Sequence, residues 1–248
     1  MALRQSWLAV LPAALLAIVS GCGADSPARP SQTPPQQPAS SSVSVSSITD
    51  GDTLRFSPAI EGIAILRLLH VDTAEIGQAP WGDQASAELL RLAPPGTVLR
   101  IETEQQRIDP FGRLLGHAIR EDGLDINREQ LRLGQAALFV IWPNVDRFAD
   151  YRAAEIEAQT AGRGIWNASA PLTELPFEYR LRIDGATPFR PVGDFFTRRF
   201  VAAADYRRVH VNNRIFFNNT TDAASAGYVS CPRDSAGTYA SECFASGQ

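Results

Sequence analysis

Three short segments gather side chains able to hold a cation or an anion. The first is Asp50-Gly51-Asp52-Thr53, the second runs Arg67-Leu68-Leu69-His70-Val71-Asp72-Thr73-Ala74-Glu75, and the third is Arg107-Ile108-Asp109-Pro110-Phe111-Gly112-Arg113. In the second, a guanidinium sits inside an aliphatic run and two carboxylates follow just past its end. An unpaired buried charge is costly, so Arg67 needs an anion or a carboxylate to face it, and a structural ion pair with Asp72 or Glu75 would meet that need as a ligand would. Asp52 also has two readings, oxygen ligand or turn residue, because Asp-Gly is a common hairpin pair. In the third segment Arg113 again enters a strand directly after a turn. Asp52, Asp72 and Glu75 offer oxygen donors with no sulfur or imidazole in competition, which suits a hard cation such as calcium and disfavours zinc. The histidines, His70, His117 and His210, form no i, i+4 pair and no link to a cysteine. They are read as polar strand or surface residues outside the site.

The surrounding patterns supply strands and helices to carry these segments. Val43 to Phe56 alternates β-branched and small polar residues around Asp50-Gly51, which predicts a hairpin. Ile63 to Val71, Thr97 to Glu102 and Leu114 to Arg120 are further strands, about five in all. Helices are predicted over Asp83 to Leu92, Asn127 to Leu133 and Asp146 to Ala161, stopped by Pro94-Pro95-Gly96, Gly134 and Gly162. Short strands with segregated helices indicate an α+β domain ending near Asn167.

Composition narrows the chemistry. All 23 basic residues among the 248 are arginine. Without lysine, Walker-type phosphate loops and Schiff-base or pyridoxal-phosphate catalysis are excluded, and phosphate contacts fall to guanidinium. The formal charge of −4 provides no overall basic field.

The N-terminus carries Arg4, an apolar run from Trp7 to Val19, and then Ser20-Gly21-Cys22. The run is short for a transmembrane helix and reads as an export signal over residues 1–21. Val19-Ser20-Gly21-Cys22 resembles a bacterial lipoprotein signal, which implies that Cys22 becomes a lipidated N-terminus; an ordinary signal peptide is the alternative. Lipidation of Cys22 would leave Cys231 and Cys243 free to close one disulfide in an oxidising compartment. Residues 22–42, rich in Pro and Ser, read as a tether between membrane and folded domain. The expected location is therefore a bacterial membrane surface, facing periplasm or exterior.

Taken in order, DGDT, RLLxVDTxE and DxFGR, closed by Gly164-Ile165-Trp166, resemble the staphylococcal nuclease (thermonuclease) family over about Val43 to Asn167. The resemblance implies an OB-type five-stranded β-barrel with three helices that cleaves DNA and RNA phosphodiesters with Ca2+. By motif position it makes Asp52 and Asp72 calcium ligands, with the backbone carbonyl of Thr73. Glu75 becomes the general base, and Arg67 and Arg113 the phosphate clamp. Phosphodiester hydrolysis accumulates negative charge on the equatorial oxygens, so a hard cation and fixed guanidinium groups fit that chemistry. The chain departs from the family in carrying Ala74 where proline is usual. Pro110-Phe111 stands in place of Lys-Tyr, leaving Phe111 and Trp142 as the aromatic candidates for nucleotide contact. Residues 43–170 hold 18 acidic and 12 basic residues, a charge of −6 that opposes polyanion binding away from the metal and its arginines.

Residues 171–248 match no named pattern and are expected to form a small, mostly β appendage, with strands over Tyr179 to Ile183 and Val209 to Phe217. Between Arg180 and Arg214, eight arginines face three acids among several aromatics. That interleaving suits single-stranded nucleic acid, or equally a half-packed sheet with a solvated arginine face. The reading is an exported, membrane-tethered, calcium-dependent nuclease acting on DNA and/or RNA, a monomer by default. A non-catalytic OB-type nucleic-acid-binding protein is the competitor.

Overall fold

The computed structural model describes residues 41–245. The leader 1–21, Cys22 and nearly all of the tether lie outside the described residues. Strand β1 (Ser41–Ile48) pairs antiparallel with β2 (Thr53–Ile60), with Ile48 opposite Leu54 across the Asp50-Gly51 turn. Alternation does the work of burial here: Val43, Val45, Leu54 and Phe56 point inward, and the intervening polar residues do not. Glu61 and Gly62, both at positive φ, turn the chain into β3 (Ile63–Leu68). After a short strand β4 (Val71–Thr73) and helix α1 (Trp81–Leu92) come β5 (Val98–Glu102) and β6 (Leu114–Arg120). The barrel closes in the order β1-β2-β3-β6-β5, with β5 back on β1; β3 and β6 are its parallel pair. This is the expected α+β, OB-type five-stranded barrel.

Helix α2 (Ile126–Arg132) is capped by Asp125, whose side chain accepts from Arg128 N at 3.0 Å. Strands β7 (Ala136–Leu138) and β8 (Val140–Ile141) follow, then helix α3 (Phe148–Thr160). One expected strand is interrupted. The run Ile63 to Val71 breaks at Leu69-His70, where His70 adopts φ +64°, and resumes as β4 against β7 rather than in the barrel.

The C-terminal segment is built into the same unit. Helix α4 (Pro176–Ile183) occupies the region expected to be a strand; proline fits its first turn and the Glu178 carboxylate accepts from Leu175 N at 3.1 Å. Strands β9 (Val192–Asp194), β10 (Arg199–Val201) and β11 (Arg214–Phe216), helix α5 (Thr220–Ser225) and strand β12 (Val229–Ser230) complete the chain. Of the strand expected over Val209 to Phe217, the last part is β11, preceded by a 3-10 turn at Val211–Asn213. These strands order as β12-β10-β9-β11-β8, so the second sheet incorporates β8 of the preceding region. Phe200, Ile215, Phe217 and Tyr228 join the barrel residues in one core, and Phe195 stacks on Phe148 of α3 at 4.1 Å. Cys231 and Cys243 form a disulfide, with Cα atoms 5.8 Å apart. Among the described residues no helix is long and apolar enough to cross a membrane.

Candidate active site

The Asp-Gly-Asp turn lies against β4. Asp52 N donates to Asp50 Oδ1 at 3.0 Å, and Leu68 N donates to the Asp52 carbonyl at 2.9 Å, which ties the turn to the end of β3. Gly51 is required for space: a Cβ there would lie 2.6 Å from the Ala85 Cβ and 2.7 Å from Thr73 Oγ1. The close approach lets Asp52 Oδ2 accept from Thr73 N at 3.0 Å and Thr73 Oγ1 at 3.2 Å. The same oxygen is 3.0 Å from Arg67 Nη2.

The break after β3 determines how Arg67 is used. Its Nη1 donates to the carbonyls of Leu68, at 2.9 Å, and Val71, at 2.5 Å, on either side of the break. Its Nη2 is left facing Asp52 and, at 3.3 Å, Asp72 Oδ1. Of the two sequence readings of Arg67, the structure contains the ion pair: a guanidinium held by backbone on one side and by carboxylates on the other. Asp72 is fully buried, and its Oδ2 has no hydrogen-bond partner among the described residues. An orphan carboxylate oxygen beside Asp52, in a donor set of oxygens without sulfur, fits a hard cation. Burial pushes the Asp72 carboxyl above its ordinary value, against the pull of Arg180 and Arg67. Asp50, burdened by burial and by the charge of Asp52, is raised to about 6.

The other expected site residues are placed differently. Glu75 follows β4 on the loop to α1, with its side chain part-exposed. Arg113 is held within its own turn: Nε donates to Asp109 Oδ2 at 2.6 Å, and the guanidinium lies over the Phe111 ring, 5.5 Å from its centre. Phe111 is 83% exposed. Trp142 is half-buried and leans on Phe217 at 6.4 Å, so the C-terminal segment covers part of its ring.

Two features escape the sequence pattern. Arg180 of α4 reaches the site, its Nη1 lying 2.9 Å from Asp72 Oδ1 and 2.8 Å from Glu75 Oε1. Burial alone would lower the pKa of this guanidinium, but the two carboxylates outweigh it and hold it above its ordinary value. Of the histidines read as polar strand or surface residues, His117 lies in β6 and His210 is exposed, but His70 is buried and meets His117. The parallel register Leu68 with Gly116 brings His70 and His117 together, and both Nε2 atoms meet Glu104 Oε1, at 2.9 and 2.7 Å. Both rings are buried, and the three ligand atoms lie within 4.8 Å of one another, a group of metal-binding type. His117 Nδ1 contacts the Tyr151 hydroxyl at 2.7 Å, which in turn meets Asp125. Burial would raise the Glu104 carboxyl, but hydrogen bonds from His117 and His70 outweigh it and leave the group well below the ordinary carboxylate range. Residues 47 positions apart give no i, i+4 signal; the parallel pairing of β3 with β6 brings them together.

The basic aromatic stretch is packed in part: Phe200, Tyr206 and Arg214 are buried, whereas Arg182, Arg198, Arg207 and Arg208 are exposed. Arg214 is buried, with Nε donating to Val209 O at 2.9 Å, and Arg198 lies over Phe195 and Tyr228. Phe189 and Phe196 remain exposed.

Residues 65–168 match the family model described as staphylococcal nuclease homologue. They span the Arg67 strand, the carboxylates after it and the Arg113 turn. These residues form a domain of the staphylococcal nuclease family. Endonuclease YhcR of Bacillus subtilis (strain 168) is 35% identical over 196 residues, covering 74% of this chain and 16% of that protein. An uncharacterized endonuclease of Escherichia coli O157:H7 is 25% identical over 135 residues, covering 54% of this chain and 82% of the relative. The chain thus spans about one sixth of the Bacillus relative's length. Nucleases of this family are metal-dependent hydrolases, in keeping with the open oxygen of Asp72. Arg180 lies beyond the matched residues.

Proposed function

We propose that this chain is an exported, lipid-anchored nuclease that hydrolyses phosphodiester bonds of DNA and/or RNA with calcium bound at Asp52, Asp72 and the Thr73 carbonyl. The observation that carries the reading is the buried, unpartnered Oδ2 of Asp72 beside Asp52 and Arg67. Calcium, when bound there, supplies positive charge toward a phosphate oxygen. Arg67 has its Nη1 fixed by two carbonyls, and its Nη2, paired with Asp52 and Asp72, would turn to the equatorial oxygens, where charge builds up during attack, once a cation takes up those carboxylates. Arg113 serves the same charge from the neighbouring turn. Glu75 accepts a proton from the attacking water as the new oxygen–phosphorus bond forms, and the bond to the leaving sugar oxygen breaks. Phe111, exposed beside Arg113, offers a face for a base to stack on. Guanidinium groups supply all the side-chain cations, as a chain without lysine requires.

Cleavage of single- and double-stranded DNA and RNA by the full chain, with calcium, with a chelator and with the Glu75→Gln variant, tests the proposal. Loss of turnover by about 10² to 10⁴ in Glu75→Gln with substrate binding retained is expected. Calcium-independent cleavage, or equal rates in the variant, would overturn it. Lipid attachment is tested separately: labelled acyl chain incorporated by the wild type and absent from Cys22→Ala is the expected result.

A further inference from the structure

We propose that Arg180 is a positioning residue for Glu75, and that helix α4 acts as a clamp on the loop that carries this base; the inference rests on the nuclease reading above. The loop needs an external restraint. Ala74 is buried but lacks the fixed φ that a proline would supply, and Ile76 is 67% exposed, so packing holds the chain before Glu75 and not the residue after it. The C-terminal segment provides anchors at three positions. At Glu75, Oε1 meets Arg180 Nη1 at 2.8 Å. At Gly77, the Tyr179 hydroxyl sits where a side chain would begin, 2.0 Å from the position of a Cβ. At Gln78, Nε2 donates to the Glu174 carbonyl at 2.8 Å, while Oε1 of the same amide accepts from Glu75 N at 3.0 Å.

Arg180 also couples the loop to the cation site. One nitrogen, Nη1, is shared between Glu75 and Asp72 Oδ1, which fixes the base relative to the carboxylate whose other oxygen is open. A base must lie within hydrogen-bond reach of the water it deprotonates, and displacement of about 1 Å costs about 10²-fold in rate. Because the contact is made by a single nitrogen rather than a two-pronged fork, an ammonium group can replace it.

The test uses the full chain with Arg180→Ala, Arg180→Lys, Glu75→Gln and the Arg180→Ala/Glu75→Gln double variant. Thermal unfolding is followed for each. Arg180→Ala is expected to lower kcat about ten- to hundredfold with KM nearly unchanged, and Arg180→Lys to recover most of the loss. In the Glu75→Gln background, Arg180→Ala should cost little further, because the two residues act as a unit. Hydrogen exchange gives a readout independent of activity: the Glu75 and Gln78 amides should lose protection in Arg180→Ala. Unchanged kcat and exchange, or an equal loss with and without Glu75, would overturn the clamp. If the wild type shows no metal-dependent cleavage, the nuclease reading fails alone, and amide exchange still decides whether Arg180 holds the loop. Should Arg180→Ala fail to fold, Arg180→Lys against Arg180→Gln makes the same comparison.

Discussion

Glu155 supports, through β7, the strand that carries Asp72 and Thr73, and it should carry a measurable cost at high pH. It lies fully buried on α3, where Oε1 accepts from Leu138 N at 2.8 Å and Oε2 has no partner among the described residues. Leu138 belongs to β7, whose register with β4 sets Val71 opposite Leu138, Asp72 opposite Ala137 and Thr73 opposite Ala136. Burial raises the Glu155 carboxyl to about 7 from an ordinary 4.5, against the pull of its backbone bond, Arg214 and Arg152. For a carboxylate raised on folding, the native state binds the proton more tightly. The associated stability is present below the unfolded pKa and is lost as pH rises through the folded one. Between about pH 5 and about pH 8 the loss amounts to about 2.5 kcal/mol, at about 1.4 kcal/mol for each unit of pKa difference. Glu155→Gln keeps a carbonyl for Leu138 N and removes the ionisation. Denaturant unfolding of wild type and variant at several pH values isolates this group, since other titrations cancel in the difference. The variant should be close to wild type at about pH 5 and more stable by about 2 to 3 kcal/mol at about pH 8. A difference independent of pH would refute the buried-carboxyl argument.

Gly51→Ala forces a Cβ against Ala85 and Thr73 and should destabilise by about 1 to 3 kcal/mol while weakening calcium binding, read by unfolding and by calcium titration. Asp52→Ala should weaken calcium binding in a way that higher calcium partly offsets, whereas Arg113→Ala should lower kcat even at saturating calcium; titration beside steady-state kinetics separates the two. Reduction of Cys231–Cys243 removes a short loop constraint and should cost about 2 to 3 kcal/mol, measured by unfolding with and without reductant.

Local patterns made much of this protein legible in its sequence. Alternation in Val43 to Phe56, the glycine and proline stops after each helix, and the absence of lysine are properties of neighbouring residues or of counting, and the barrel strands and its helices follow from them. Asp52, Arg67, Asp72 and Thr73 also fall within two short motifs, so their convergence needed only one hairpin and one strand break. Tyr179 to Ile183 misled because alternating apolar and basic residues satisfy a strand period, while the helix start at Pro176 and Glu178 lay upstream of the window. What the tertiary structure alone decided depends on partners far apart along the chain. His70 and His117 meet through a parallel pair, Glu155 is buried by β7, and Arg180 reaches Glu75 across 105 residues because β11 adds to β8 and seats the C-terminal segment beside the site. No periodicity encodes such meetings, since each is fixed by which sheet edge and which core face remain to be covered once the local elements have formed.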